Sequence, residues 1–220
     1  MKRFFLVTGV SVLVAVLLRL FVGEPCYISS ASMEPTILVG DWLWIDKASY
    51  GSLLPKRLSE IPLINIFTWN KKLRNKDLNS DWGQHRSKGW AVPKKNDVVV
   101  FKSPDEPEVL LVKRIFEYLP EGTVIMLNQQ NLPRYESILK QEDKKTGDIL
   151  SKIKLNPFGN TAYILQNSYF FVLGDNPKIS RDSRFFGYLK GDRIVGKASL
   201  IITSTKSLKR SFLGIPDLPL

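Results

Sequence analysis

The sequence predicts a mainly β domain behind one N-terminal transmembrane helix. Two observations predict this. An apolar run with a basic start opens the chain, and it is the only run of its length. After it come short segments rich in β-branched and aromatic residues, separated by turn signals. Of the later segments, only Arg134–Asp143 reads as a short helix.

The apolar run extends from Phe4 to Val22. At ~1.5 Å per residue it spans about one 30 Å hydrocarbon core. Lys2 and Arg3 precede it and place the N-terminus on the cytoplasmic side, with the rest of the chain outside. Arg19 sits within a turn of the far end, where its long side chain can reach the headgroups. A cleavable signal peptide has the same beginning, and Ser29-Ser30-Ala31 offers small residues for a cut after Ala31. The run is longer than a usual signal-peptide core, which favours a retained anchor. The expected division is therefore a cytoplasmic tail (1–3), an anchor (4–22) and an exported domain (23–220).

Seven strands are expected: Asp41–Lys47, Asp97–Lys102, Val109–Tyr118, Thr123–Leu127, Thr161–Leu165, Ser168–Leu173 and Arg193–Thr203. "QEDKKTGD" (Gln141–Asp148) reads as a solvated loop. All five tryptophans fall soon after the anchor, around the apolar "IPLINIFTW" (Ile61–Trp69). Tryptophan favours the membrane interface, so segment 50–93 is a variable, membrane-associating candidate. The same tryptophans could equally be core residues.

The 220 residues carry a net charge of +11. That balance suits an anionic partner, lipid or nucleic acid. The basic residues are scattered, with no basic helix and no zinc-finger spacing, which argues against a nucleic-acid reader and leaves a lipid surface. One cysteine, Cys26, excludes an intramolecular disulfide and a multi-cysteine metal site, and reads as a buried or interfacial thiol. One histidine, His85, lies in the polar stretch "DWGQHRSKGW" and reads as a loop residue. A hydrolase built on this chain would take its base from elsewhere.

Three segments carry candidate chemistry. In "LLVKRI", alternation puts Leu111, Lys113 and Ile115 on one strand face and Leu110, Val112 and Arg114 on the other. Aliphatic neighbours desolvate Lys113 and disfavour its ammonium form. A general base at neutral pH needs a drop of ~2–3 units from ~10.4, or ~3–4 kcal/mol. "ISSASMEPT" (Ile28–Thr36) supplies hydroxyls, and a serine activated by a neutral lysine is a known variant of triad logic. A second hydroxyl and backbone N–H groups in the turn could receive an oxyanion. In "GDNPKISRDSRFFG" (Gly174–Gly187), Asp182 and Arg184 lie two apart and could pair. Taken singly, each segment has a plainer reading: a lysine reaching solvent, a linker and a charged surface loop.

Taken together and in this order, "SASMEPT", "DVVVFKSPDEPEVLLVKRI" and "GDNPKISRDSRFFG" behind one anchor resemble the type I signal peptidases. The resemblance covers the anchor, Ile28–Lys47, Asp97–Ile115 and Phe170–Ala198. It implies a signal-peptidase-like domain of coiled antiparallel sheets and a serine endopeptidase that cuts signal peptides after small residues, at Ala-x-Ala sites. It further implies Ser32 as nucleophile and Lys113 as general base. Ser30 and the Ser32 N–H would form the oxyanion hole, and Ser180 would orient Lys113. Gly174, Asp175, Asn176, Asp182 and Arg184 would support the loop. Ile28, Met33, Ile37, Leu43, Val100, Leu111 and Val112 would wall the substrate pockets. Signal peptides and membrane lipid are the implied partners, with no metal or organic cofactor, no nucleic acid, and a monomer on the outer side of the cytoplasmic membrane.

The chain departs from the family's pattern in three places. Pro177-Lys178-Ile179 replace Arg-Asp-Asn in the third motif, and Pro177 restricts Asn176. Asn96 stands where glycine is usual. The span 116–167 leaves room only for a short accessory segment. Two rival readings are a soluble self-cleaving Ser–Lys protease like the SOS-response repressors, which the anchor argues against, and a secreted non-catalytic β domain beginning near Ser32.

Overall fold

The computed structural model of the chain describes residues 1–62, 70–142, 151, 153, 159–204 and 211–216. Helix α1 spans Lys2–Phe21 and has no buried residue. By length and composition it can cross a membrane. Its C-terminal end is pinned to the domain. Glu24 pairs with Arg19 at 2.8 Å and with Lys47 at 2.9 Å. Lys47 Nζ donates to the Arg19 carbonyl, and Ser52 Oγ to that of Phe21. These bonds satisfy carbonyls that a helix terminus leaves open.

The domain is built on an eight-stranded antiparallel sheet. Its strands are β1 (Gly23–Tyr27), β2 (Trp42–Asp46), β3 (Val98–Lys102), β4 (Leu110–Leu119), β7 (Tyr169–Leu173), β8 (Leu189–Lys190), β9 (Ile194–Thr203) and β10 (Leu213–Gly214). The order is β1-β2-β9-β3-β4-β7-β8, with β10 also on β9. Register shifts interrupt the β2–β9, β3–β9 and β4–β7 ladders. Each such bulge bends its strand, and together they curl the sheet. The connection from β2 to β3 carries the short surface helix α2 (Lys71–Leu78), capped by the Asn70 side chain. A separate two-stranded antiparallel sheet, β5 (Val124–Leu127) with β6 (Thr161–Ile164), packs with helix α3 (Leu132–Gln141) over Tyr169 and Tyr188.

The seven expected strands are all present, within a residue or two of their expected bounds. The expected helix lies slightly earlier, because Pro133 suits the first helical turn. Strands β1, β8 and β10 are additions to the expected set: β8 and β10 have two residues each, and in β1 Pro25 reads as a strand breaker. β1 is an edge strand, where proline is tolerated. Ile61–Trp69 falls mostly outside the described residues, as does most of Gln141–Asp148. Trp42, Trp82 and Trp90 are exposed and Trp44 is partly so, which removes them from the core.

Two apolar clusters flank strands β3 and β4. One contains Ile28, Met33, Leu43, Val100 and Val112. The other contains Val99, Phe101 and Ile115, with Leu111 against it. The alternation read from "LLVKRI" thus sends Val112 to one cluster and Leu111 and Ile115 to the other. Lys113 and Arg114 sit between these apolar residues in the buried middle of β4.

Candidate active site

The serine turn hangs between β1 and β2. Ile28 N–H donates to the Asp41 carbonyl, and Gly40 N–H returns a bond to Ile28. The Asp41 carboxylate accepts from Leu38 N–H and from Ser204 Oγ. Ala31–Met33 form one 3-10 turn, capped by Ser30, whose Oγ accepts from Ser32 N–H at 3.3 Å. A cut after Ala31 would strip β1 from the sheet and cleave inside this turn.

Lys113 extends from β4 to the same turn. Its Nζ lies 2.7 Å from Ser32 Oγ and donates to the Val112 carbonyl at 2.9 Å. The lysine is 2 % exposed and Ser32 is 8 % exposed. Burial lowers the lysine pKa from its ordinary 10.5 to about 8, against the opposing pull of Asp182 and Asp175. A hydroxyl against a lysine that gives up its proton near neutrality has the components of an activated nucleophile.

The loop after β7 surrounds this pair. Asn176 N–H donates to the Ser32 carbonyl at 3.0 Å, and Asn176 Nδ2 reaches the Ala31 carbonyl. Asp182 is fully buried and accepts from Gly174 N–H, Ser180 Oγ and the Arg184 guanidinium. Burial alone would raise the Asp182 carboxyl; the donors from Arg184, Gly174 and Ser180 outweigh it and hold the pKa at about 2. Gly174 is a matter of space. A Cβ there would stand 2.1 Å from Ser180 Oγ and 2.6 Å from the Ser32 carbonyl oxygen.

Ser180 makes its bond elsewhere than expected. Its hydroxyl donates to Asp182 at 2.7 Å, while the bonds of Lys113 go to Ser32 and Val112. A buried carboxylate is the stronger acceptor for that hydroxyl. One interaction escaped the sequence reading. Arg114 pairs with Asp175 through both nitrogens, at 2.9 and 2.8 Å, in a buried site, and also donates to the carbonyls of Asn96 and Pro216. The adjacent Lys-Arg was its only signal, since two neighbours on a strand face opposite sides.

A cleft of about 180 Å³ opens over the pair. Of the expected wall residues, Ile28, Met33, Leu111 and Val112 line it. Ile37, Leu43 and Val100 lie behind it, fully buried in the core that supports those walls. Cys26 also lines the cleft, half-buried, and burial raises its thiol pKa. His85 is exposed on its loop.

A curled antiparallel sheet that brings a serine hydroxyl to a buried lysine beside an apolar cleft has the make-up of a hydrolase. The sequence model of the family described as "Signal peptidase, peptidase S26" matches residues 1–203, and the chain belongs to that family. It is similar to signal peptidase I of Rickettsia akari, 29% identical over 222 residues, covering 88% of this chain and 76% of the relative. Signal peptidase I of Pseudomonas aeruginosa is 25% identical over 239 residues, covering 91% and 72%. Signal peptidase I of Aquifex aeolicus is 25% identical over 246 residues, covering 89% and 81%. A crystal structure of a signal peptidase I from Enterococcus faecalis matches 48% of this chain and 96% of that one, with 22% identity and a TM-score of 0.25.

Proposed function

We propose that the chain is a single-pass membrane-anchored serine endopeptidase that removes signal peptides from exported proteins after small residues. In this reading 1–3 is cytoplasmic, 4–22 spans the cytoplasmic membrane, and 23–220 works as a monomer on its outer side. The observation that carries it is the 2.7 Å approach of Lys113 Nζ to Ser32 Oγ, with the lysine buried. Membership of the signal peptidase family supports the substrate class.

The chemistry follows from the neutral lysine. Ser32 O–H then donates to the Nζ lone pair, while one Nζ–H keeps the Val112 carbonyl. As Oγ bonds to the scissile carbonyl carbon, its proton passes to Nζ. Ser32 N–H and Ser30 Oγ–H receive the oxyanion. In the capped turn the Ser32 N–H donates to Ser30 Oγ at 3.3 Å, and it turns from that acceptor to the oxyanion as the bond forms. The Lys113 ammonium protonates the departing amine, leaving an acyl-enzyme on Ser32. Water, deprotonated by Lys113, then releases the signal peptide. Asp182, Ser180, Gly174 and Asn176 act as positioning residues, and Arg184 and Asp175 hold the loop. Ile28, Met33, Leu111 and Val112 contact the substrate's side chains from the wall of the cleft. An extended substrate strand suits it, since strand addition tests alternate side chains.

The test is cleavage of an Ala-x-Ala substrate by Ser32→Ala and Lys113→Met. Each is expected to lose at least about 10³-fold in kcat/KM while retaining its circular dichroism spectrum. Wild-type turnover by either variant rejects the pair.

A further inference from the structure

Two depressions lead from the anchor toward the Ser32 cleft. The first, of about 440 Å³, lies along the outer half of α1, between Ala15, Val16 and Arg19 on the helix and Ile61 and Pro62 opposite. The second, of about 590 Å³, opens at the helix end, with Leu20 on one side and Leu53, Leu54 and Leu78 among its walls. Ser59 and Glu60 line both. The second reaches Leu110 on β4, and Leu110 also lines the cleft that holds Ser32 and Lys113. The Leu110 side chain, 39 % exposed, stands at the threshold between them.

We propose that this path receives the apolar segment of the signal peptide and the residues joining it to the scissile bond. The proposal rests on the reading of the Ser32 cleft as the cleavage site. A signal peptide's apolar segment lies in the bilayer, at the depth of Ala15 and Val16. It runs N-terminus inside to C-terminus outside, parallel to α1. It leaves the bilayer where α1 does, at Leu20, and must reach Ser32 from there. The second depression leads to Leu110, and β4 continues from Leu110 to Lys113. The charge of the second depression favours this occupant over an anionic lipid. Its lining has four basic side chains against three carboxylates, close to balance, beside Leu20, Leu53, Leu54, Leu78 and Leu110. A lipid phosphate would be attracted by an unbalanced basic site. The bonds of Glu24 to Arg19 and Lys47, and of Ser52 to Phe21, hold the helix end in place, so the walls are set before substrate arrives.

The experiment uses the full chain in detergent micelles and two substrates sharing one Ala-x-Ala site. One carries a whole apolar segment, and the other only a few residues on each side of the cut. Leu54→Asp and Leu78→Asp are compared with wild type. Leu78 is 54 % exposed at the end of α2, so its substitution spares the core. The expected result is a drop of about 10- to 100-fold in kcat/KM on the long substrate, the scale of burying one leucine side chain. The short substrate should change less than about twofold. A photoreactive residue in the apolar segment should label the fragment containing Leu53–Leu78. Unchanged cleavage of the long substrate by both variants, with wild type cutting both substrates, overturns the path and leaves the cleavage reading standing. Equal losses on both substrates also overturn it, since an effect through lipid or folding would not tell them apart. Failure of wild type to cut either substrate defeats the cleavage reading itself.

Discussion

The backbone N–H of Asn176 donates to the carbonyl of Ser32 at 3.0 Å. The loop after β7 therefore grips the serine turn by its main chain, and the charged side chains that make the loop conspicuous act one step back. Asp182 holds Gly174 N–H, and Gly174 lets Ser180 and the Ser32 carbonyl close on either side of it.

Gly174→Ala tests that arrangement. The added methyl meets Ser180 Oγ at 2.1 Å and the Ser32 carbonyl at 2.6 Å, and the second is backbone that cannot swing away. Overpacking of this kind costs about 1–3 kcal/mol. Urea denaturation should show that loss, and kcat/KM should fall by at least about 100-fold because the serine turn moves. Full activity would mean that other bonds hold the turn.

The lysine sets the pH dependence. With its pKa at about 8, kcat/KM should rise tenfold per pH unit below that value and level off above it. Stability follows the same group. The unfolded chain keeps the proton up to about 10.5 and the folded chain releases it near 8, so the unfolded state binds more protons between these values. The fold should gain roughly 3 kcal/mol from this site as pH rises from about 8 to 10.5. Lys113→Met should abolish that rise in a pH series of denaturation curves.

Asp182→Asn separates charge from shape. In the wild type the carboxylate raises the Lys113 pKa, so its removal should move the acid limb of the rate profile below 8. Asp182 itself titrates at about 2 when folded, against an ordinary 3.8. Its contribution of roughly 2 kcal/mol is complete above about pH 4 and is lost as pH falls through about 2. The variant should be destabilised at neutral pH and flatter in its acid unfolding. An unmoved acid limb would show that Asp182 does not act on the lysine.

Asn96 precedes β3 with φ of 74°, the left-handed region where glycine is free and asparagine is tolerated. This explains an asparagine where the family usually has glycine. Asn96→Gly should stay within about 0.5 kcal/mol of wild type, and Asn96→Val should lose about 1–2 kcal/mol. The Asn96 carbonyl accepts from Arg114, so the valine variant should also loosen the Arg114–Asp175 pair, visible as faster amide exchange around β4.

The strands were legible because each is a compact run of β-branched and aromatic residues bounded by turn formers. β1 was not, since its proline reads as a breaker until the strand is known to lie at an edge, nor were β8 and β10, which at two residues each are too short to show a period. The site was legible in part. Turn formers and the Asp182/Arg184 spacing marked the loop, and the family resemblance assigned Ser180 to Lys113, whereas the fold gives the Ser180 hydroxyl to Asp182. Neither spacing nor resemblance separated the residues lining the cleft from Ile37, Leu43 and Val100 behind it. All are apolar, and only the curl of the sheet decides which of them meet the opening.

By itself the sequence determined the N-terminal apolar helix, the mainly β class and the three segments that supply the candidate site. These depend on local composition and periodicity, which are properties of neighbouring residues. Tertiary structure decided that Ser32 and Lys113 meet, that Lys113 is dry enough to lose its proton near neutrality, and that Arg114 turns away to Asp175. Those facts arise from pairing strands far apart in the chain, and from bulges that set where each side chain points. "ISSASMEPT" has the composition of a place to be cut; the fold instead buries its Ser32 against a lysine.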